Sequence, residues 1–152
     1  MRDVLVDTNV FILFLAGQIN ENRIEQYSRN SLYTKEAYYF LLNLLFKFDR
    51  IITSPNILTE VDNILNRVSG DDKHKYLELV KKIYKQTVEK YIKTVDVSQN
   101  YFFDTLGVTD SSILMMAQEC DLLISGDSTL CGYAISLNIN TFDFKKYLND
   151  RL

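Results

Sequence analysis

Short apolar runs alternate along the chain with longer stretches of helical spacing. Val4-Leu5-Val6 is continuous apolar sequence, the mark of a strand covered on both faces, and residues 2–6 are assigned to it. Residues 9–16, rich in Phe and Leu, start a helix or helical turn. The polar stretch 17–33, from Gly17 to Tyr33, is expected to be loop with some helix. Thr34 can cap a helix running to about Phe48, in which Leu41, Leu42, Leu45 and Phe46 have amphipathic spacing. Ile51-Ile52-Thr53 reads as a second strand. Ser54 then offers an N-cap hydroxyl and Pro55 a first helical position. In the helix that follows, Ile57, Val61, Ile64 and Val68 form one stripe, with Leu58 and Leu65 beside it. Glu60 and Asp62 fall at its two margins, and helix geometry alone does not choose between them. Ser69-Gly70-Asp71-Asp72 breaks the pattern, and 73–92 reads as another helix. Thr94-Val95-Asp96-Val97 is expected as the third strand, 122–125 as the fourth and 139–142 as the fifth. Between them, Asp110 opens the helix of Ile113, Leu114, Met116 and Ala117, where a carboxylate favours the positive end of the helix dipole. Such alternation predicts a three-layer α/β/α fold: a mostly parallel sheet of four to five strands with right-handed crossovers and helices on both faces.

The 152 residues suffice for a single domain, 1–152, with a substantial core. One proline and five glycines leave little room for a flexible linker. Asp3 and Asp7 interrupt the N-terminal apolar run, which argues against a secretory signal. The longest apolar stretches, such as 40–46, are far too short to cross a bilayer, so no membrane role is expected. Cys120 and Cys131 form neither a disulfide framework nor a zinc spacing and read as small buried hydrophobes. These features suit a reducing cytoplasm. A net charge of −3 speaks against a polyanionic partner, unless a bound cation reverses the field locally. The lysines from Lys81 to Lys93, interleaved with aromatics, are read as a solvated helix face.

Four acids follow short apolar runs: Asp7 after Val4-Leu5-Val6, Glu60 in the helix after Ile51-Ile52-Thr53, Asp110 after Gly107-Val108-Thr109, and Asp127 after Leu123-Ile124-Ser125-Gly126. In a parallel sheet such points lie along the carboxyl edge of the strands, where ligands bind. Four carboxylates converging there repel unless something positive sits among them. The usual neutraliser is a hard cation with oxygen ligands, here Mg2+ or Mn2+. Taken singly, each acid passes more readily as a surface group or a helix cap. Together they are harder to dismiss, because Asp7 and Asp127 end runs expected to be buried, where a lone charge is costly. Thr8 and Asn9 are candidates to orient carboxylates or a water by hydrogen bonds, evenly balanced against turn and cap chemistry. For Ser125 the turn reading is favoured. Asp104, beside Phe102 and Phe103, is read as part of an anchored loop, and His74 as a surface residue.

This ordered set resembles the PIN-domain nucleases. Their pattern is Asp-Thr/Ser-Asn/Ser after the first strand, a helical Glu after a short turn, a Gly-x-x-Asp helix start, and Ser/Thr-x-Asp after the fourth strand. Here these are Asp7-Thr8-Asn9, Thr53-Ser54-Pro55 with Glu60, Gly107 to Asp110, and Ser125-Gly126-Asp127, spread from Val4 to about Phe142. The resemblance implies a metal-dependent endoribonuclease in which Asp7, Glu60, Asp110 and Asp127 are the catalytic and metal-binding residues. Its substrate would be RNA, attacked by a metal-activated water and not through a histidine base, leaving 5′-phosphate and 3′-hydroxyl ends. VapC-type toxins are the largest group of small stand-alone members, which adds an antitoxin protein and a homodimer as candidate partners. For either, the helix around Leu41 to Phe46 is the candidate surface, although core packing is the favoured use of most of its side chains. The stretches 17–33 and 71–93 are longer than a compact toxin of that group needs. Two alternatives remain open: a PIN nuclease of RNA processing or repair, and a non-catalytic PIN domain binding RNA or protein. A phosphatase of the haloacid dehalogenase type fits less well, because Asn9 stands where that chemistry needs a second acid.

Overall fold

The apolar run near the N-terminus forms the central strand, β1 (Asp3–Val6), buried along its whole length. The computed structural model describes residues 1–27, 33–67 and 71–151. Val68 of the expected stripe and the break at Ser69-Gly70 lie outside the described residues, as do 28–32 of the polar stretch. Beside β1 run β2 (Arg50–Thr53), β3 (Val88–Glu89), β4 (Leu122–Ser125) and β5 (Thr141–Asp143). The order across the sheet is β3-β2-β1-β4-β5, and all four pairings are parallel. Leu5 lies opposite Ile52 on one side and Leu123 on the other, so three apolar strands stack their side chains in register.

Eight α-helices cover the described parts of the sheet: α1 (Thr8–Asn20), α2 (Lys35–Leu45), α3 (Pro55–Leu65), α4 (Asp71–Gln86), α5 (Thr94–Val97), α6 (Phe103–Ala117), α7 (Ser128–Ser136) and α8 (Phe144–Arg151). Helices α1 to α4 pack together as one layer, joined by α8 through the stacking of Phe40 on Tyr147 at 4.2 Å. Helices α5, α6 and α7 pack as the other. The result is the expected three-layer α/β/α architecture, with a sheet that is wholly parallel. Among the described residues no helix is long and apolar enough to cross a membrane.

Several boundaries differ from the sequence expectation. Helix α1 does not stop near Gly17 but continues to Asn20, followed by a 3₁₀ helix over Glu21–Tyr27. Gly17 is there for proximity, not for a turn: a Cβ added to it would lie 2.2 Å from the Tyr38 ring. Helix α2, capped by Thr34 as expected, ends at Leu45. The expected helix 73–92 is helical only to Gln86, and the third strand is Val88–Glu89, not Thr94–Val97. The edge beside β2 is taken by Val88–Glu89, and Lys90 extends the pairing with an N–H bond of 2.8 Å to the Thr53 carbonyl. In a strand Val95 and Val97 would share a face. In the α5 turn they part, Val95 to solvent and Val97 to the core.

At the amino edge of the sheet a buried acid is neutralised. Asp3 accepts two hydrogen bonds from the Arg50 guanidinium, at 2.7 and 2.6 Å, which hold its carboxyl below the usual carboxylate range. Asp72, also buried, pairs with Arg23 at 3.0 Å. The cysteines are free thiols, and burial pushes them up, to about 11 for Cys120 and about 12 for Cys131. Lys81, Lys82 and Lys85 lie on the exposed face of α4 while Ile83 is buried, so that part of the basic stretch is a solvated helix face.

Candidate functional site

The sheet order reverses between β1 and β4, because the chain runs outward through β2 and β3 before crossing back to β4. Crevices of open parallel sheets form at such a switch point, at the carboxyl ends of the strands. Asp7 is the residue directly after β1, its N–H bonded to the Ile124 carbonyl of β4 at 3.0 Å. It is 7% exposed and caps α1, its Oδ1 accepting the Thr8 N–H at 2.7 Å. Asp127 follows β4 and caps α7, its Oδ1 accepting the N–H groups of Thr129 and Leu130 at 3.0 and 3.1 Å.

Glu60 arrives from α3, which starts where the sequence places it: Ser54 accepts the Ile57 N–H at 3.3 Å and Pro55 opens the first turn. The structure separates Glu60 from Asp62. Glu60 faces the cleft and accepts the Thr8 hydroxyl at 2.8 Å, whereas Asp62 accepts the Tyr76 hydroxyl of α4 at 2.8 Å. Asp110 is delivered by a break inside α6. Gly107 has φ 80° and ψ −168°, a conformation open to glycine and strained for other residues, and the helix restarts after it with Asp110 in its first turn.

All four acids line one cleft of about 360 Å3, with Thr8 and Asn9 on its wall. Ser125, read from sequence as a turn residue, does more than that. It accepts the Asp127 N–H at 3.0 Å and donates to Asp7 Oδ2 at 2.7 Å, so one hydroxyl joins the two acids that flank the switch point. The carbonyl of Asn9 accepts the Tyr33 hydroxyl at 2.9 Å, and its side chain is exposed to the cleft. Two further residues line it that the sequence does not offer as site residues: Asn63, and Ile64, which reads there as part of the apolar stripe. Their spacing of three and four from Glu60 is the signal that finds them. Asp104 is exposed and does not line the cleft, and His74 lies on the surface of α4 against Glu78 at 3.2 Å.

The electrostatics of this edge oppose those of the amino edge. Burial pushes the Asp7 carboxyl up, the Ser125 and Thr8 hydrogen bonds pull it back, and the charges of Asp127 and Glu60 push it further. Asp110 is pushed up to about 6, first by burial and then by Asp7, Asp127 and Glu60. Among the described residues no lysine, arginine or histidine pairs with any of the four. An all-oxygen donor set short of positive charge suits a hard divalent cation. The acids stand around the cleft as separate groups: among the described residues no three Asp, Glu, His or Cys side chains are close enough together to hold a metal ion.

Comparison with protein-family models and with curated proteins finds no match to this chain.

Proposed function

We propose that this cleft is the active site of a divalent-metal-dependent endoribonuclease of the PIN-domain kind. One observation carries the reading. Buried Asp3 and Asp72 each have an arginine, while the four acids of the cleft share a single space with no cation among the described residues. Asp7 is as buried as Asp3 and Asp72, and leaving such a carboxylate unpaired is costly. Asp110 and Asp127 are half-buried and Glu60 is exposed, and a cation bound among the four would offset their repulsion. Asp7, Glu60, Asp110 and Asp127 would hold Mg2+ or Mn2+. When bound, the ion supplies Lewis acidity toward phosphate oxygens and toward an attacking water.

The chain's own residues set the donors. Ser125 and the Thr8 N–H fix both oxygens of Asp7. The Thr8 hydroxyl fixes one oxygen of Glu60, and the two N–H groups at the start of α7 fix one oxygen of Asp127. The second oxygens of Glu60 and Asp127 have no hydrogen-bond partner among the described residues, which leaves them for an ion or its waters.

The test is cleavage of a short single-stranded RNA by purified protein. Cleavage is expected with Mg2+ or Mn2+ and none in excess EDTA. Robust cleavage in EDTA by a clean preparation overturns the reading. RNA bound but left intact in Mn2+ supports the non-catalytic alternative instead.

A second reading, the toxin of a toxin–antitoxin pair, is favoured by an apolar groove at the end of α2. Phe46, 93% exposed, lines it with Phe14, Leu42, Leu45, Phe48 and Ile51. A strictly monomeric protein with no co-purifying partner from its native host counts against the toxin and leaves the nuclease standing.

A further inference from the structure

The acidic cleft poses a problem that a metal ion alone does not solve. A phosphodiester anion must be held in one orientation beside four carboxylates, and no lysine or arginine lines the cleft among the described residues. Directed hydrogen bonds to phosphate oxygens come otherwise from hydroxyl and amide side chains or from backbone N–H groups. Three described side chains on the cleft wall carry such donors: Thr8, Asn9 and Asn63. The Thr8 hydroxyl is spent on Glu60. Asn9, two residues from Asp7 at the start of α1, is already the candidate to orient a carboxylate or a water.

Asn63 is placed differently. It lies three residues beyond Glu60 on α3, on the same helix face and one turn further along. Its side chain is exposed to the cleft, and no described residue shares a hydrogen bond with it. Asp62, one residue earlier on the same helix, is by contrast tied to Tyr76 of α4.

We infer that Asn63 contacts the substrate, its side-chain amide donating to a phosphate oxygen of the RNA as it enters past Glu60. This rests on the nuclease reading and adds to it a residue that binds the strand without holding the ion. A contact made equally in the bound and transition states appears in KM and not in kcat.

The experiment follows cleavage of a short 5′-labelled single-stranded RNA in Mg2+. Asn63→Ala is expected to raise KM about two- to tenfold, the loss of one hydrogen bond, with kcat within about twofold of wild type. Asn63→Asp, which turns the donor into a fifth carboxylate, is expected to lose more, and its deficit to shrink with added salt. Melting temperature and Mn2+ affinity by titration calorimetry should be unchanged in Asn63→Ala. An unchanged KM overturns the inference. So does a matching loss of Mn2+ affinity, which would make Asn63 a metal ligand. If wild-type protein leaves the RNA intact in Mn2+, the nuclease reading falls by itself. The Kd of Asn63→Ala for the same RNA then decides the inference, and an unchanged Kd overturns it.

Discussion

Replacing Asp7 by Asn tests whether the cleft acids serve chemistry or structure, because the two roles predict opposite effects on stability. Asn keeps the shape and can still cap α1 through its amide oxygen, so the bond to the Thr8 N–H survives. What changes is charge. Asp110 lies at about 6 against an ordinary 3.8, a difference of about two units or about 3 kcal/mol between its two protonation states. Burial is the largest cause and is untouched by the substitution. Asp7 is the first of the three charges behind it, and Asp110 is only partly buried. With solvent screening of that repulsion, removing Asp7 relieves on the order of 1 kcal/mol. Removing the buried charge of Asp7 itself adds to the gain. Against this, the Ser125 hydroxyl loses its acceptor at Asp7 Oδ2, a cost of about 1 kcal/mol.

In metal-free protein at pH 7 the Asp7→Asn variant should therefore be at least as stable as wild type, while RNA cleavage is abolished. The pH dependence carries its own signature. A carboxyl raised in the folded state binds its proton more tightly there, so ionisation opposes folding. Wild-type stability in EDTA should fall as pH rises from about 3.8 to about 6, and the variant should fall less. Thermal melts in EDTA at several pH values, repeated with Mg2+, measure both, alongside cleavage. Asp62→Asn is the control: Asp62 is exposed, bonded to Tyr76 and outside the cleft. The reasoning is refuted if Asp7→Asn still cleaves, or melts well below wild type in EDTA at pH 7. It also fails if Asp62→Asn impairs cleavage as much as Glu60→Gln.

Two further substitutions probe what supports the site. Ser125→Ala removes a fully buried hydroxyl and leaves the half-buried Asp127 N–H and the buried Asp7 Oδ2 each short of a partner, so a loss of about 1–3 kcal/mol is expected in denaturant titration, together with weakened cleavage. Gly17→Ala improves helix propensity by about 1 kcal/mol but drives a methyl into the buried Tyr38 ring, so net destabilisation of about 1–2 kcal/mol is expected in thermal melts, and a stabilised protein would refute the packing role.

The parts of the fold that were legible in sequence are those set by local rules. Val4-Leu5-Val6 and Leu122 to Ser125 are buried on both faces and read as strands without help, and Thr34 and Ser54 cap helices through their own side chains. What was misread depends on partners distant in sequence. Val88–Glu89 is too short to interrupt the helical spacing around it and becomes a strand only by pairing with β2. Thr94–Val97 has strand-like composition, but the place beside β2 is already taken by Val88–Glu89. Glu60 and Asp62 were equivalent on the helix wheel, and Tyr76 from α4 separates them. Ser125 passed as a turn residue because its second hydrogen bond spans 118 residues. Asn63 has only its spacing from Glu60 as a local sign, and its place on the cleft shows once α3 is docked beside the start of α1.

The two ends of the central strand treat buried acid in opposite ways, and the difference bears on how the fold tolerates its site. At the amino end, Asp3 takes both hydrogen bonds of Arg50 from β2, and its own N–H donates to Asp121 just before β4 at 2.7 Å. One residue thereby ties the three central strands together, through a carboxyl that is most stabilising when ionised. At the carboxyl end, Asp7 is buried to the same degree with three acids facing the same space, and its ionisation opposes folding. The strand is four residues long, so roughly 13 Å of chain separates a fastening from a strain. An arginine at the carboxyl end would relieve that strain, but it would also occupy the place of a cation. A site that must accept an ion has to remain short of positive charge until the ion arrives, and the stability it gives up has to come from elsewhere in the sheet. The ion pair at the amino edge, with the Asp3 N–H bond to Asp121 beside it, holds the same three strands together without touching the cleft.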